Sequence, residues 1–197
     1  MIAVIDYGAG NLFSRTGSLD FIGAENFITD KAEDMDKADR IILPGDGAFG
    51  YAVEQLNKTG LWEPIKEQVA KGKPLLGICL GMQLLFTESY EYGVHKGFNF
   101  IEGIVERIDT ELKLPQIGWN SLDMVPDPLL KYNKQGDYVY FVHSYAATHC
   151  DESVIATTDY GTKVTAIVHK DNVFGTQFHP EKSGDAGLAM LRAFTEV

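Results

Sequence analysis

Gly77-Ile78-Cys79-Leu80-Gly81 is the stretch of this chain best suited to covalent chemistry. It follows an apolar run and precedes another. Glycines on either side remove Cβ clashes, so a strand can double back sharply into a helix. The central side chain then projects from the apex of the turn. A cysteine there sits at the positive end of a helix, which favours thiolate, the nucleophilic form. The competing reading is a buried cysteine packed as a small hydrophobe. Cys150, in Thr148-His149-Cys150-Asp151, has no strand-to-helix turn and reads as a packed or exposed thiol.

A thiolate nucleophile needs a base, and the base needs an orienting group. Five histidines are available. His179 lies in Gln177-Phe178-His179-Pro180-Glu181, at the end of an apolar run. Residues i and i+2 of extended chain share a side, so His179 and Glu181 can address the same pocket, though Pro180 bends the chain between them. A carboxylate on one ring nitrogen fixes the tautomer and frees the other for proton exchange with the thiol. His143, at a strand end, is the second candidate, with no carboxylate close in sequence. His95, His149 and His169 sit among polar residues. Acyl chemistry also needs donors for an oxyanion. The N–H of Leu80 is one, and the loop Pro44-Gly45-Asp46-Gly47 offers others. The histidine and cysteine spacings match no metal-ligand pattern. No G-x-G-x-x-G or Walker segment is present for a nucleotide, so no cofactor is expected.

The elements that position these residues follow from the hydrophobic pattern. Runs at 2–6, 26–29, 40–43 and 73–78 read as buried strands, alternating with a helix after the turn at 7–10 and helical stretches at 31–38, 48–57 and 61–71. Asn11 or Ser14 is placed to cap the first helix, with Leu12, Phe13, Leu19 and Phe21 among its apolar positions. A further helix is expected from Met82 to Phe86. This βαβα alternation predicts an α/β fold with a doubly wound, mostly parallel sheet. The second half is strand-rich, at 101–108, 118–122, 138–142, 153–158, 163–169 and 173–178, before a closing helix at 186–194. Antiparallel strands are therefore expected to extend the sheet. Asp171-Asn172 reads as a hairpin turn, and 87–100 as a surface loop beside the site. The 197 residues fit one domain.

Composition excludes several functions. Seventeen basic against 28 acidic residues give a net charge of −11, which disfavours nucleic acid and anionic membranes. No apolar run approaches a bilayer span, and the N-terminus lacks the basic region of a secretory signal. Two cysteines do not suggest a disulfide framework. A reduced, cytoplasmic location is expected.

Taken together, GICLGMQLLF, PGDGAF and QFHPEKS resemble the class I glutamine amidotransferases. The likeness spans nearly the whole chain and implies a flavodoxin-like glutaminase domain over 1–197. It also implies that Cys79, His179 and Glu181 form the triad that hydrolyses glutamine. Gly45, Asp46, Gly47 and Leu80 fall in the family's oxyanion region. Gly47, Leu80, Gln83, Ser144 and Tyr145 fall where the family contacts glutamine. IAVIDYGAGNL, LPQIGWNSL, YVYFVHSYA and the presence of Met82 are similar to the branch that serves histidine biosynthesis. That branch implies a heterodimer with a separate (β/α)₈ barrel cyclase that receives the ammonia. A paralogous glutaminase serving another synthase, such as one amidating a sugar, is the alternative. Two residues depart from the pattern. Asp46 replaces a small apolar residue, and its charge would repel an oxyanion unless turned away. Gln116 stands for the usual histidine before GWN, outside the triad, and is expected to touch partner contacts at most.

Overall fold

A computed structural model describes residues 1–9 and 12–197 of the chain. Its centre is an eight-stranded sheet. The strands are β1 (Ile2–Ile5), β2 (Asn26–Thr29), β3 (Arg40–Leu43), β4 (Leu75–Ile78), β9 (Asp123–Met124), β12 (Val154–Asp159), β13 (Lys163–Lys170) and β14 (Val173–Thr176). Their spatial order is β2-β1-β3-β4-β14-β13-β12-β9. The five strands from β2 to β14 are mutually parallel, whereas β13, β12 and β9 continue antiparallel. β1, β4 and β14 are buried along their whole length. Such strands read as continuous apolar runs because helices cover both faces of a parallel sheet.

Alternation within each run divides the core. Ile41, Leu43 and Leu75 join one apolar cluster with Phe49, Leu56 and Ile65, from α3 (Phe49–Lys58) and α4 (Trp62–Ala70). Ile42, Leu76 and Ile78 join the other, with Leu19 of α1 (Leu12–Phe21) and Met190 and Phe194 of α6 (Gly184–Phe194). Successive side chains point to opposite faces, so each strand supplies both layers. The polar helix α2 (Ala32–Met35) is a single turn that buries Met35.

Four chain segments leave adjacent strands β1, β3, β4 and β14 at the same edge. They carry Tyr7, the 44–47 turn, Cys79 and His179. Sites of parallel α/β sheets form at this carboxyl edge.

The structure corrects several expectations. The expected helix over 82–86 is α5 (Leu80–Gln83), one turn long, and Phe86 already begins β5 (Phe86–Ser89). Leu84, Leu85 and Phe86 are all buried, so no one-sided pattern distinguishes helix from strand there. The 87–100 segment is not simply surface loop. It includes the end of β5 and β6 (His95–Lys96), buries Ser89, and stacks Phe98 on Trp62 at 3.8 Å between ring centres. β5 and β6 form a second sheet with β7 (Ile101–Arg107) and β11 (Tyr145–Thr148), in the order β11-β7-β5-β6. β8 (Gln116–Ser121) and β10 (Tyr138–His143) form an antiparallel ribbon. Three of the expected strands therefore lie outside the main sheet. Asp171, at φ 55°, makes the tight turn between antiparallel β13 and β14. In α1, Phe21 is 79% exposed rather than part of the apolar face. Of the two expected caps, Asn11 lies outside the described residues and Ser14 falls inside the helix.

Candidate active site

β4 hands over to α5 through Cys79, whose backbone sits at φ 55°, ψ −111°. A side chain in such a region costs about 1–3 kcal/mol and persists only where surrounding contacts impose it. Those contacts are visible. The Cys79 N–H donates to the Thr176 carbonyl at 2.8 Å, which carries the β4–β14 pairing into the turn. A Cβ on Gly81 would lie 1.9 Å from the Leu43 carbonyl oxygen, and one on Gly77 would lie 2.5 Å from the Gly81 oxygen. The turn is thus folded against itself and against β3, with no room for larger residues. Gly81→Ala should lower stability by about 3 kcal/mol, the upper range for overpacking. Gly17→Ala, in open space on α1, should instead raise it by up to about 1 kcal/mol. Chemical denaturation of both variants checks the pair.

His179 is fixed by backbone bonds before its side chain is considered. Its N–H donates to the Tyr140 carbonyl at 3.1 Å, and its carbonyl accepts from Ser183 Oγ at 2.6 Å. The chain then enters a 3₁₀ turn over Pro180–Lys182. That turn swings Glu181 back, with Oε1 2.9 Å from His179 Nδ1. Nε2 is left for the thiol. One ring nitrogen of His179, Cys79 Sγ and a carboxylate oxygen of Asp46 all lie within 4.8 Å of one another.

Burial works against a charged imidazole at His179, but hydrogen bonds to Cys79 and Glu181 outweigh it and raise its pKa to about 9. Burial also pushes the Glu181 carboxyl up. The hydrogen bond to His179 and the charge of Arg15 more than reverse this, so Glu181 stays below the usual carboxylate range. Both flanking charges are sequestered, Arg15 being 2% and Glu181 1% exposed. Arg15 reaches two carboxylates. Its Nε is 3.5 Å from Glu181 Oε1 and its Nη2 3.4 Å from Asp46 Oδ1. The unusual carboxylate in the 44–47 turn therefore faces a buried cation. The same turn is held from below by Tyr7, whose hydroxyl donates to the Pro44 carbonyl at 2.8 Å.

A cavity of about 240 Å³ opens beside these groups. Gly47, Leu80, Gln83, Ser144 and Tyr145 line it together with Cys79, His179 and Asp46. Gly45 does not. A Cβ there would meet Tyr7 Oη at 2.7 Å and the Gly81 nitrogen at 2.9 Å, so its part is to let the two turns touch. The Gln83 amide donates to the Tyr145 carbonyl and to Gln177 Oε1, both at 3.0 Å.

Three residues that sequence reasoning left unassigned belong here. Glu91 lines the cavity and accepts the Phe49 N–H at 2.7 Å, capping α3 from 42 residues away. Gln177 is buried and points its amide at Cys79 Sγ, 3.9 Å away. Its place at the head of the QFHPE segment was the available signal. Arg15 had none, since one arginine on a helix reads as solvent-facing.

His143 also lines the cavity, but its ring is committed elsewhere. Nδ1 is 2.8 Å from the Tyr145 carbonyl and Nε2 3.0 Å from Gln116 Oε1. Burial pushes its pKa down to about 4, against the bond to Tyr145 that raises it. Gln116 is accordingly not a surface residue for a partner: it is 0% exposed and supports this wall. His169 is less polar in setting than expected, stacking on Phe174 at 4.1 Å and bonding Asp127 at 2.7 Å.

Residues 4–196 match the profile of the glutamine amidotransferase class-I family. The chain belongs to the class I glutamine amidotransferase family. It is 48% identical over 199 residues to the imidazole glycerol phosphate synthase subunit HisH of Caldanaerobacter subterraneus, covering 100% of this chain and 98% of the relative. The HisH subunit of Methanothermobacter thermautotrophicus is 48% identical over 198 residues, with the same coverage. That of Bacillus subtilis is 46% identical over 205 residues, covering 100% and 96%. Among solved structures, one described as a glutamine amidotransferase superposes with a TM-score of 0.79 at 21% identity, covering 100% of this chain and 98% of the other. PurLQS from Thermotoga maritima gives 0.76 at 19%, covering 99% and 97%. The fold is thus shared with chains of 19–21% identity. No described helix is long and apolar enough to cross a membrane.

Proposed function

We propose that this chain is one amidotransferase domain, the glutaminase subunit of an imidazole glycerol phosphate synthase, and that Cys79, His179 and Glu181 carry its chemistry. The observation that carries the reading is the convergence on one cavity of a thiol on a strained strand-to-helix turn and a buried His–Glu pair 2.9 Å apart.

Cys79 thiolate attacks the carboxamide carbon of glutamine. The oxyanion that forms is met by the Leu80 N–H and by an amide of the 44–47 turn. His179 gives its Nε2 proton to the departing nitrogen, and ammonia leaves. His179 then takes a proton from water, whose oxygen cleaves the thioester and releases glutamate. Glu181 keeps the imidazole oriented and stabilises its charged form. Gly47, Leu80, Gln83, Ser144 and Tyr145 hold the substrate, and the Glu91 carboxylate suits its ammonium group. The ammonia passes, shielded from water, to a separate (β/α)₈ barrel cyclase. There it serves formation of imidazole glycerol phosphate and aminoimidazole carboxamide ribotide in histidine biosynthesis.

An uncoupled glutaminase would lose ammonia to solvent. The isolated chain is therefore expected to hydrolyse glutamine slowly and to be stimulated at least about 10²-fold by barrel and acceptor, the worth of one oxyanion donor. Gly47, at φ 95°, gives the turn a pivot at which a peptide can rotate. Steady-state glutamate release, with and without the cognate barrel and its ligand, tests both function and switch. Full-rate turnover by the chain alone would refute the switch. No turnover in either state would refute the function.

A further inference from the structure

The Cys79–His179–Asp46 cluster has the donor set of a metal site, although the three residues are far apart in sequence. A thiolate, an imidazole and a carboxylate are the three ligand types zinc takes, and zinc sites with three protein ligands leave the fourth position to water. The donor atoms lie within 4.8 Å of one another. Bonds to zinc of about 2.0–2.3 Å require donor separations of roughly 3.3–3.7 Å in a tetrahedron. Closing the difference needs a shift of about 1 Å. Asp46 can supply it, because its side chain is 41% exposed and its turn is flanked by Gly45 and Gly47.

The surroundings suit a dication. Glu181 holds Nδ1 of His179 and leaves Nε2 free, the carboxylate–histidine arrangement that orients zinc ligands and raises their basicity. Cys79 as thiolate, Asp46 and Glu181 together carry three negative charges, and Arg15 offsets one. One oxygen of Asp46 can remain on Arg15 while the other turns to the ion.

We propose that Cys79, His179 and Asp46 form a reversible inhibitory site for one zinc ion, with Asp46 as the residue that raises affinity above that of a bare thiol–imidazole pair. Binding forms S–Zn, N–Zn and O–Zn bonds, and water fills the fourth position. The proton on the Cys79–His179 pair leaves to solvent as the bonds form. Sulfur bonded to zinc has no free pair for the carboxamide carbon, so glutamine hydrolysis stops until a chelator removes the ion. The inhibition rests on Cys79 being the nucleophile proposed above; the binding does not.

The test uses the full chain, stripped with chelator, titrated with zinc chloride in a calorimeter and with cobalt chloride in a spectrophotometer. The expected result is one ion per chain and a thiolate-to-cobalt charge-transfer band in the wild-type protein. Cys79→Ala should abolish that band, and Asp46→Val and Asp46→Asn should each weaken zinc at least about tenfold. Cys150→Ala should bind as the wild type does. Absence of saturable binding, absence of the band, unchanged affinity in both Asp46 variants, or loss of binding in Cys150→Ala would each overturn the proposal. Glutamate release by the barrel complex in excess chelator is measured alongside. No release there refutes the glutaminase reading, whatever zinc does. Release that zinc leaves untouched refutes the inhibitory site alone.

Discussion

Cys79→Ala is expected to lower glutamine hydrolysis by on the order of 10⁴–10⁶-fold, the scale on which removing a nucleophile acts, while ammonia-dependent synthesis by the barrel complex stays largely intact. The separation follows from the geometry. The thiol is needed only to cleave the carboxamide, and ammonia supplied in solution enters the sequence after that step. Alanine at position 79 also keeps the strained φ of 55°, because the neighbouring turns rather than the sulfur impose it. The variant should fold and still bind its partner. Glutamate release within a few-fold of wild type would remove Cys79 from the mechanism. Cys150 provides the internal comparison. It is buried at 6% exposure, and burial raises its pKa to about 11. Cys150→Ala should leave turnover nearly unchanged.

His179→Ala should be as damaging as loss of the thiol, because members of such a unit fail together. Without the imidazole nothing hands a proton to the departing nitrogen or takes one from water. Glu181→Gln should be less severe, a loss of roughly 10²–10⁴-fold. Glutamine keeps the shape of the side chain but removes the charge that stabilises the imidazolium, and its amide can present a donor to Nδ1. It also strips Arg15, 2% exposed, of one of its two carboxylate neighbours. Chemical denaturation should accompany the kinetics, so that lost stability is separated from lost catalysis. A silent Glu181→Gln would make the site a Cys–His dyad, with Glu181 serving only to satisfy Arg15.

Much of this was legible in the residues. Ile2–Ile5, residues 41–43 and Leu75–Ile78 are short, mostly β-branched or leucine-rich runs bounded by turn residues, which marks them as buried strands, and the amphipathic stretches between them are suited to cover their faces. Gly77 and Gly81 bracket Cys79 because a Cβ on either would strike backbone, and the pattern of two glycines around a cysteine announced that crowding. His179 and Glu181 are near neighbours in the chain, so their pairing needed only local geometry. Residues without a local partner stayed silent. Glu91 caps a helix 42 positions earlier, Arg15 reaches carboxylates at 46 and 181, and Gln116 supports His143 across an antiparallel ribbon. The assignment of strands to sheets was equally hidden, since alternation reports that a strand has a buried face and not which neighbour buries it. Local spacing determines what each segment becomes. Which charges meet depends on the order in which β1, β3, β4 and β14 lie side by side, and that order brings Asp46, Cys79 and His179 to one edge because all four strands run the same way.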